Sequence, residues 1–172
     1  MKKVITFLFL VSFGFINAQS AFTGKGDTRV NVGANLQDGG SGIQGSIDFG
    51  LGENFSVGFV ANYLLGVDNF NGHYHGSNYV GDADFSDRFD AKARMNANLS
   101  SVIGVEQLDV YPGLSLGLHN FGGHVGGRYF FTDGFGVFTE IGFPIAKYGS
   151  ENDPFYHLNN QATFSLGASF SL

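Results

Sequence analysis

Residues 126–143, GGRYFFTDGFGVFTEIGF, hold two alternating runs joined by Thr132-Asp133-Gly134. In the first run Val125, Gly127, Tyr129 and Phe131 share one face, and His124, Gly126, Arg128 and Phe130 share the other. In the second, Phe135, Val137, Thr139, Ile141 and Phe143 form a mostly apolar face opposed by Gly136, Phe138, Glu140 and Gly142. Period-two alternation over this length specifies antiparallel strands. Keeping both apolar faces on one side of the sheet requires an odd number of loop residues. Three fit, with Gly134 supplying the positive φ of a type I turn closed by a G1 bulge. Arg128 and Glu140 then share the polar face as diagonal neighbours, a spacing long side chains can bridge.

The same alternation recurs along the chain, giving eight runs. Val30, Val32, Ala34 and Leu36 are in phase, then Ile43, Ile47, Phe49 and Leu51, then Phe55, Val57, Phe59, Ala61, Tyr63 and Leu65. Phe89 to Leu99 and Leu108 to Leu118 follow, then the hairpin, and Ala162, Phe164, Leu166, Ala168, Phe170 and Leu172 close the series. A six-residue turn is expected at 37–42. Three residues, Gly52-Glu53-Asn54, fit the next, with Asn54 left-handed, and four fit at 104–107. Residues 66–87 and 147–157 are long and irregular. Short turns on one side and longer loops on the other match the layout of an outer-membrane barrel. Pro112 fits a closed sheet poorly, and a bulge is expected there.

The N-terminus reads as an export signal. Lys2-Lys3 is followed by apolar residues 4–16 and by Asn17-Ala18, a small-residue cleavage site before Gln19. The apolar run is too short for a spanning helix, which needs ~20 residues. Residues 1–18 are thus expected to be a cleaved signal peptide and 19–172 a single barrel domain. The chain has no cysteine, which excludes disulfides, thiolate chemistry and lipoprotein acylation. Of the 9 basic residues 2 lie in the signal, so 7 remain against 15 acidic ones, arguing against nucleic acid as a partner.

Alternation alone does not say which face points inward. All nine charges within the runs (Arg29, Asp48, Arg88, Asp90, Lys92, Arg94, Asp109, Arg128 and Glu140) fall on the polar phase, and so do many glycines. On the outside of a soluble barrel those glycines would only weaken strands. In a narrow lumen they leave room for Arg, Lys and Tyr. The expected fold is therefore all-β, an eight-stranded antiparallel up-and-down transmembrane β-barrel. Its apolar phase faces lipid, and it has no cofactor.

The run from Gly126 to Phe131 with its Glu140-bearing partner, and the terminal Phe170-Ser171-Leu172, resemble the small outer-membrane β-barrels of OmpA and OmpX type. The resemblance covers nearly all of the mature chain. It implies export through the Sec pathway, residence in the bacterial outer membrane, and recognition of Phe170 and Leu172 by the barrel-assembly machinery. It does not imply an activity.

Two sets of residues carry candidate chemistry. Arg128, Glu140, Arg94, Lys92, Asp48 and Asp109 form a lumen ion network, read as a plug in preference to a gated ion path because eight strands leave little free bore. His73-x-His75, beside acidic loops, is a weak candidate metal site without a fixed third ligand. Ser115 and His119 lack an acid to orient the histidine, so an enzyme is not expected. A structural, adhesive or surface-interaction role, with an unknown surface partner, is the leading expectation. A lipid-modifying outer-membrane enzyme and a secreted soluble barrel binding a hydrophobic ligand are the alternatives.

Overall fold

The computed structural model describes residues 21–68, 70–74, 77–149 and 152–172, with backbone alone between 70 and 80. The expected signal peptide lies outside the described residues. Eight strands close into one antiparallel barrel: β1 (Thr28–Gln37), β2 (Gly40–Gly52), β3 (Phe55–Val67), β6 (Phe89–Ala97), β7 (Leu108–Gly117), β8 (Asn120–Phe130), β9 (Phe135–Lys147) and β10 (Thr163–Ser171). Each pairs with its neighbour in the chain, and β10 returns to β1. A separate hairpin, β4 (Phe70–Tyr74) and β5 (Ser77–Gly81), and a helical turn, α1 (Phe85–Arg88), occupy the β3–β6 connection. A second helical turn, α2 (Ser100–Ile103), precedes β7. Among the described residues no helix is long and apolar enough to cross a membrane.

The register fixes the barrel's shape. Following Cα partners from Phe135 through Phe170, Val30, Ile47, Phe59, Ala93, Leu116 and Phe121 returns to β9 at Ala146. Ala146 lies eleven residues beyond Phe135, and one of the eleven is the extra residue of a bulge, since Phe121 faces Ala146 while Gly122 faces Pro144. The shear is therefore ten. Over eight strands it accompanies a tilt of roughly 35–45° and an interior just wide enough for side chains.

The polar phase is inside. Arg29, Asp48, Arg94, Asp109 and Arg128 are at most 2% exposed, whereas Phe59 is 62% and Ile43 54% exposed on the outer wall. Arg88 is the exception among the nine charges. It ends α1, is only partly buried, and donates from Nε to the Ala83 carbonyl at 2.9 Å.

Both ends of the bore are capped. At the end bearing the long loops, Phe155 and Leu158 pack on Leu64 and Ala83. Asn120 Nδ2 donates to the Asn159 carbonyl at 2.6 Å, and Asn159 Nδ2 to the Asp87 carbonyl at 3.0 Å, tying the β9–β10 loop across the opening. At the other end Ala21 and Phe22 are buried, Ser100 Oγ donates to the Phe22 carbonyl, and Asp27 pairs with Arg29 at 2.7 Å.

Several turns differ from expectation. β1 and β2 stay paired to Gln37↔Gly40, so the first turn shrinks to Asp38 and Gly39, with Gly39 at φ 68°. Neither Asn54 nor Gly134 has a positive φ. Ahead of Asn54, the extra residue Leu51 absorbs the twist in a bulge, because Gly50 faces Ser56 while Gly52 faces Phe55. Around Gly134 the chain closes instead through Phe131 and Thr132 N–H groups shared on the Phe135 carbonyl. No bulge marks Pro112, which pairs with Val125 in unbroken register. The Val110 carbonyl accepts from Leu99 on the β6 side, and strand alternation points the backbone of Pro112 the same way. There the β6–β7 ladder ends at Asn96↔Gly113, one residue short, so the missing N–H interrupts nothing. The proline that does sit beside a bulge is Pro144.

Candidate functional site: the charged interior

Asp48, Gly58 and Arg94 form one registered row across β2, β3 and β6. A Cβ on Gly58 would overlap Asp48 Oδ1 and the Ile47 carbonyl. The glycine leaves the gap that Arg94 crosses: Nε donates to Asp48 Oδ1 at 2.7 Å and Nη2 to Oδ2 at 2.6 Å. Two further guanidinium hydrogens reach Glu140 Oε2 and Ser46 Oγ, both at 2.9 Å. Arg128 also donates through Nη2 to Asp48 Oδ2, and its Nη1 lies 3.8 Å from Asp109 Oδ2. Asp109 in turn accepts from Asn98 Nδ2 at 2.7 Å.

A second glycine row accommodates the aromatic filler. Tyr111, Gly126 and Glu140 are aligned across β7, β8 and β9, and a Cβ on Gly126 would enter the Tyr111 ring. The ring lies against Arg128, whose Cζ is 4.0 Å from its centroid, with that of Arg94 at 5.9 Å. Guanidinium groups gain from such faces where water is excluded. His124 sits between Gly113 and Gly142 in the next row and donates from Nε2 to Asn96 Oδ1 at 2.7 Å. Arg94, Tyr111 and His124 thus each have glycine beside them in their row on an adjacent strand. The cavity left beside Glu140, His124 and Lys92 is about 30 Å³, room for one water.

Five of the six expected network residues meet: Asp48, Arg94, Glu140, Arg128 and Asp109. Lys92 stands apart, 3.2 Å from Asp90 Oδ2 and donating to Asn120 Oδ1 at 3.1 Å. Arg128 and Glu140 are diagonal as expected, since Arg128 faces Phe138 and Gly126 faces Glu140. They take different partners, however: Arg128 turns to Asp48 and Asp109, and Glu140 receives Arg94. Phe170 faces outward, 5.7 Å from the ring of Phe135, and the Leu172 N–H donates to the Thr28 carbonyl at 3.0 Å. His75 and the side chain of His73 lie outside the described residues. Among the described residues no three His, Asp or Glu side chains are grouped to hold a metal.

A family of unknown function, DUF6646, matches residues 10–172. The chain belongs to DUF6646. No curated protein and no solved structure matches it.

In this DUF6646 chain the sequence places Tyr111, His124, Asn96, Asn98 and Ser46 on the polar phase without singling them out as network residues, and it does not place Asp27 at all. Their signal was phase alone, because each sits an even number of residues from a charged inward neighbour on its own strand or leader. The cap formed by residues 21–27 had no signal, since a glycine-containing leader does not show where it folds back.

Proposed function

We propose that this protein is an integral outer-membrane β-barrel with a structural, adhesive or surface-interaction role and a lumen plugged by side chains, akin to the OmpA- and OmpX-type barrels. The observation that carries the reading is the inverted burial. Ionic groups fill the inside, while Phe59, Leu65, Leu116 and Ile141, each more than half exposed, stud the outside. In water so large an apolar surface would drive association. In lipid it is the required exterior, and closure leaves no backbone edge unsatisfied.

The dimensions support the same reading. The outward side chains of β3 run from Phe55 to Leu65. Ten steps of ~3.3 Å at a tilt near 40° give an apolar band of about 25 Å, the height of an outer-membrane barrel's belt. Aromatic pairs mark both margins. Tyr63–Phe85 and Phe85–Phe89 lie 5.6 and 5.4 Å apart at one end, and Tyr129–Phe131 lies 5.3 Å apart at the other. A barrel storing a hydrophobic ligand would turn these phenylalanines inward. Outer-membrane lipid and the assembly machinery are then its partners, the latter through the strand ending in Phe170 and Leu172.

Cell fractionation tests the proposal. The protein should sediment with outer membranes, resist carbonate extraction and dissolve in detergent; recovery from the soluble periplasmic pool would overturn it.

A further inference from the structure

The turns at the end opposite the long loops differ in polarity. The β2–β3 and β8–β9 turns expose Glu53, Asn54, Thr132, Asp133 and Gly134. The β6–β7 connection instead exposes Val102 (71%), Ile103 (40%) and Val105 (41%). Its serines are tied to the barrel: Ser100 is buried and donates from Oγ to the Phe22 carbonyl, and Ser101 Oγ donates to Asn54 Oδ1 at 2.6 Å. Val102, two residues on in α2, lies on the opposite side of the helical turn from Ser100. Gly104, left-handed at φ 72°, then reverses the chain. Backbone bonds fix the height of this lip. The Leu99 N–H donates to the Val110 carbonyl and the Phe130 N–H to the Gln107 carbonyl, both at 3.0 Å, while Leu108 pairs with Tyr129. The lip therefore lies level with the Tyr129–Phe131 pair at the margin of the apolar belt.

We propose that this lip is a lipid-contact surface, with Val102, Ile103 and Val105 seated in the headgroup–acyl boundary of the leaflet on that side. The inference rests on the outer-membrane reading, which puts lipid against the belt that the lip continues. The Leu108 N–H donates to the Val105 carbonyl at 3.0 Å, so the lip turns straight into the outward-facing end of β7. Apolar side chains left in water gain nothing, whereas at a bilayer surface an apolar face buries itself ~5–10 Å into this boundary. A helical turn of four residues, ~6 Å long, suits that depth. Glu106, the one charge in the lip, is exposed beside Val105 and holds the segment at the boundary instead of deeper. A specific protein partner fits less well. Such interfaces take about 800 Å² from each side, far more than two valines and an isoleucine present, and the flanking turns carry Glu53 and Asp133.

The test is thiol accessibility in lipid bilayer discs, which are open to water on both faces and hold one copy each. Val102→Cys, Asp133→Cys and Phe59→Cys would be treated separately with a water-soluble maleimide. All three sites are exposed on the protein itself, so only lipid should separate their rates. Position 102 should react about tenfold more slowly than position 133, because a thiolate is disfavoured where water is thin, and position 59 more slowly still. Equal rates at 102 and 133 with position 59 protected would overturn this inference alone. Position 59 reacting as fast as 133 would overturn the outer-membrane reading beneath it as well. Protection of 102 that appears only in discs loaded with two copies would make the lip a contact between copies and overturn the lipid assignment.

Discussion

Replacing Asp48 with Asn tests whether one carboxylate is the hub of the interior. Asp48 accepts two hydrogen bonds from Arg94 and one from Arg128 while 1% exposed. Asparagine keeps the shape and one acceptor, but turns an NH₂ toward two guanidinium groups and removes the charge that both face. Each lost bond to a charged group is worth about 1.5–3 kcal/mol, and breaking a buried pair from one side costs about 3–5 kcal/mol. The two figures describe the same loss, so we expect about 3–5 kcal/mol in total. That is a fifth or more of the ~5–15 kcal/mol holding an ordinary domain. With a urea slope of ~1–3 kcal/mol/M, the midpoint should fall by roughly 1–5 M, read by circular dichroism of the folded protein in detergent or vesicles. Glu140→Gln is the control. Glu140 accepts one bond, from Arg94, and borders the cavity, so its loss should cost about 1.5–3 kcal/mol. If Asp48→Asn costs no more than Glu140→Gln, Asp48 is not the hub and the reasoning fails.

Other expectations follow from the same geometry. Phe59→Arg should destabilise the vesicle-inserted protein by ~2–4 kcal/mol, whereas Phe85→Arg, at the margin of the belt, should cost ~0–1 kcal/mol; equal costs by urea titration would contradict the assigned depths. Gly126→Val should destabilise by about 1–3 kcal/mol through overpacking against Tyr111, and combining it with Tyr111→Ala should recover part of the loss in the same assay. In planar bilayers the protein should show no steady large conductance. Deleting residues 21–26 should not create one, because the Arg94–Asp48–Arg128 cluster fills the bore behind that cap. Steady porin-like currents from either form would refute the plug.

The eight strands, their phase and the three-residue spacing between Phe131 and Phe135 were legible in the sequence because alternation is a local signal. What the sequence hid depends on shear. Arg128 on β8 meets Asp48 on β2, four strands away in the barrel order, because a register displaced by ten residues brings the two across a narrow lumen at one height. The visible hairpin pairs Arg128 only with residues of β9, which is why Glu140 looked like its partner. Pro112 misled for a related reason. A closed sheet has no edge, yet its ladders need not run full length, and the β6–β7 ladder stops beside that proline. The turn types at Asn54 and Gly134 failed because a bulge at Leu51 and a shared carbonyl at Phe135 supplied the twist that a left-handed residue would have given.

The direct test of an inside-out barrel in lipid uses the absence of cysteine from the chain. Single variants Val57→Cys, Phe59→Cys and Ala61→Cys on the outer phase, and Ser56→Cys and Asn62→Cys on the inner, would carry an environment-sensitive fluorophore in vesicles containing brominated lipid. The account predicts strong quenching by lipid at 57, 59 and 61, greatest near the bilayer centre, and little at 56 and 62. Quenching that ignores the alternation, or strikes the inner positions instead, would contradict it.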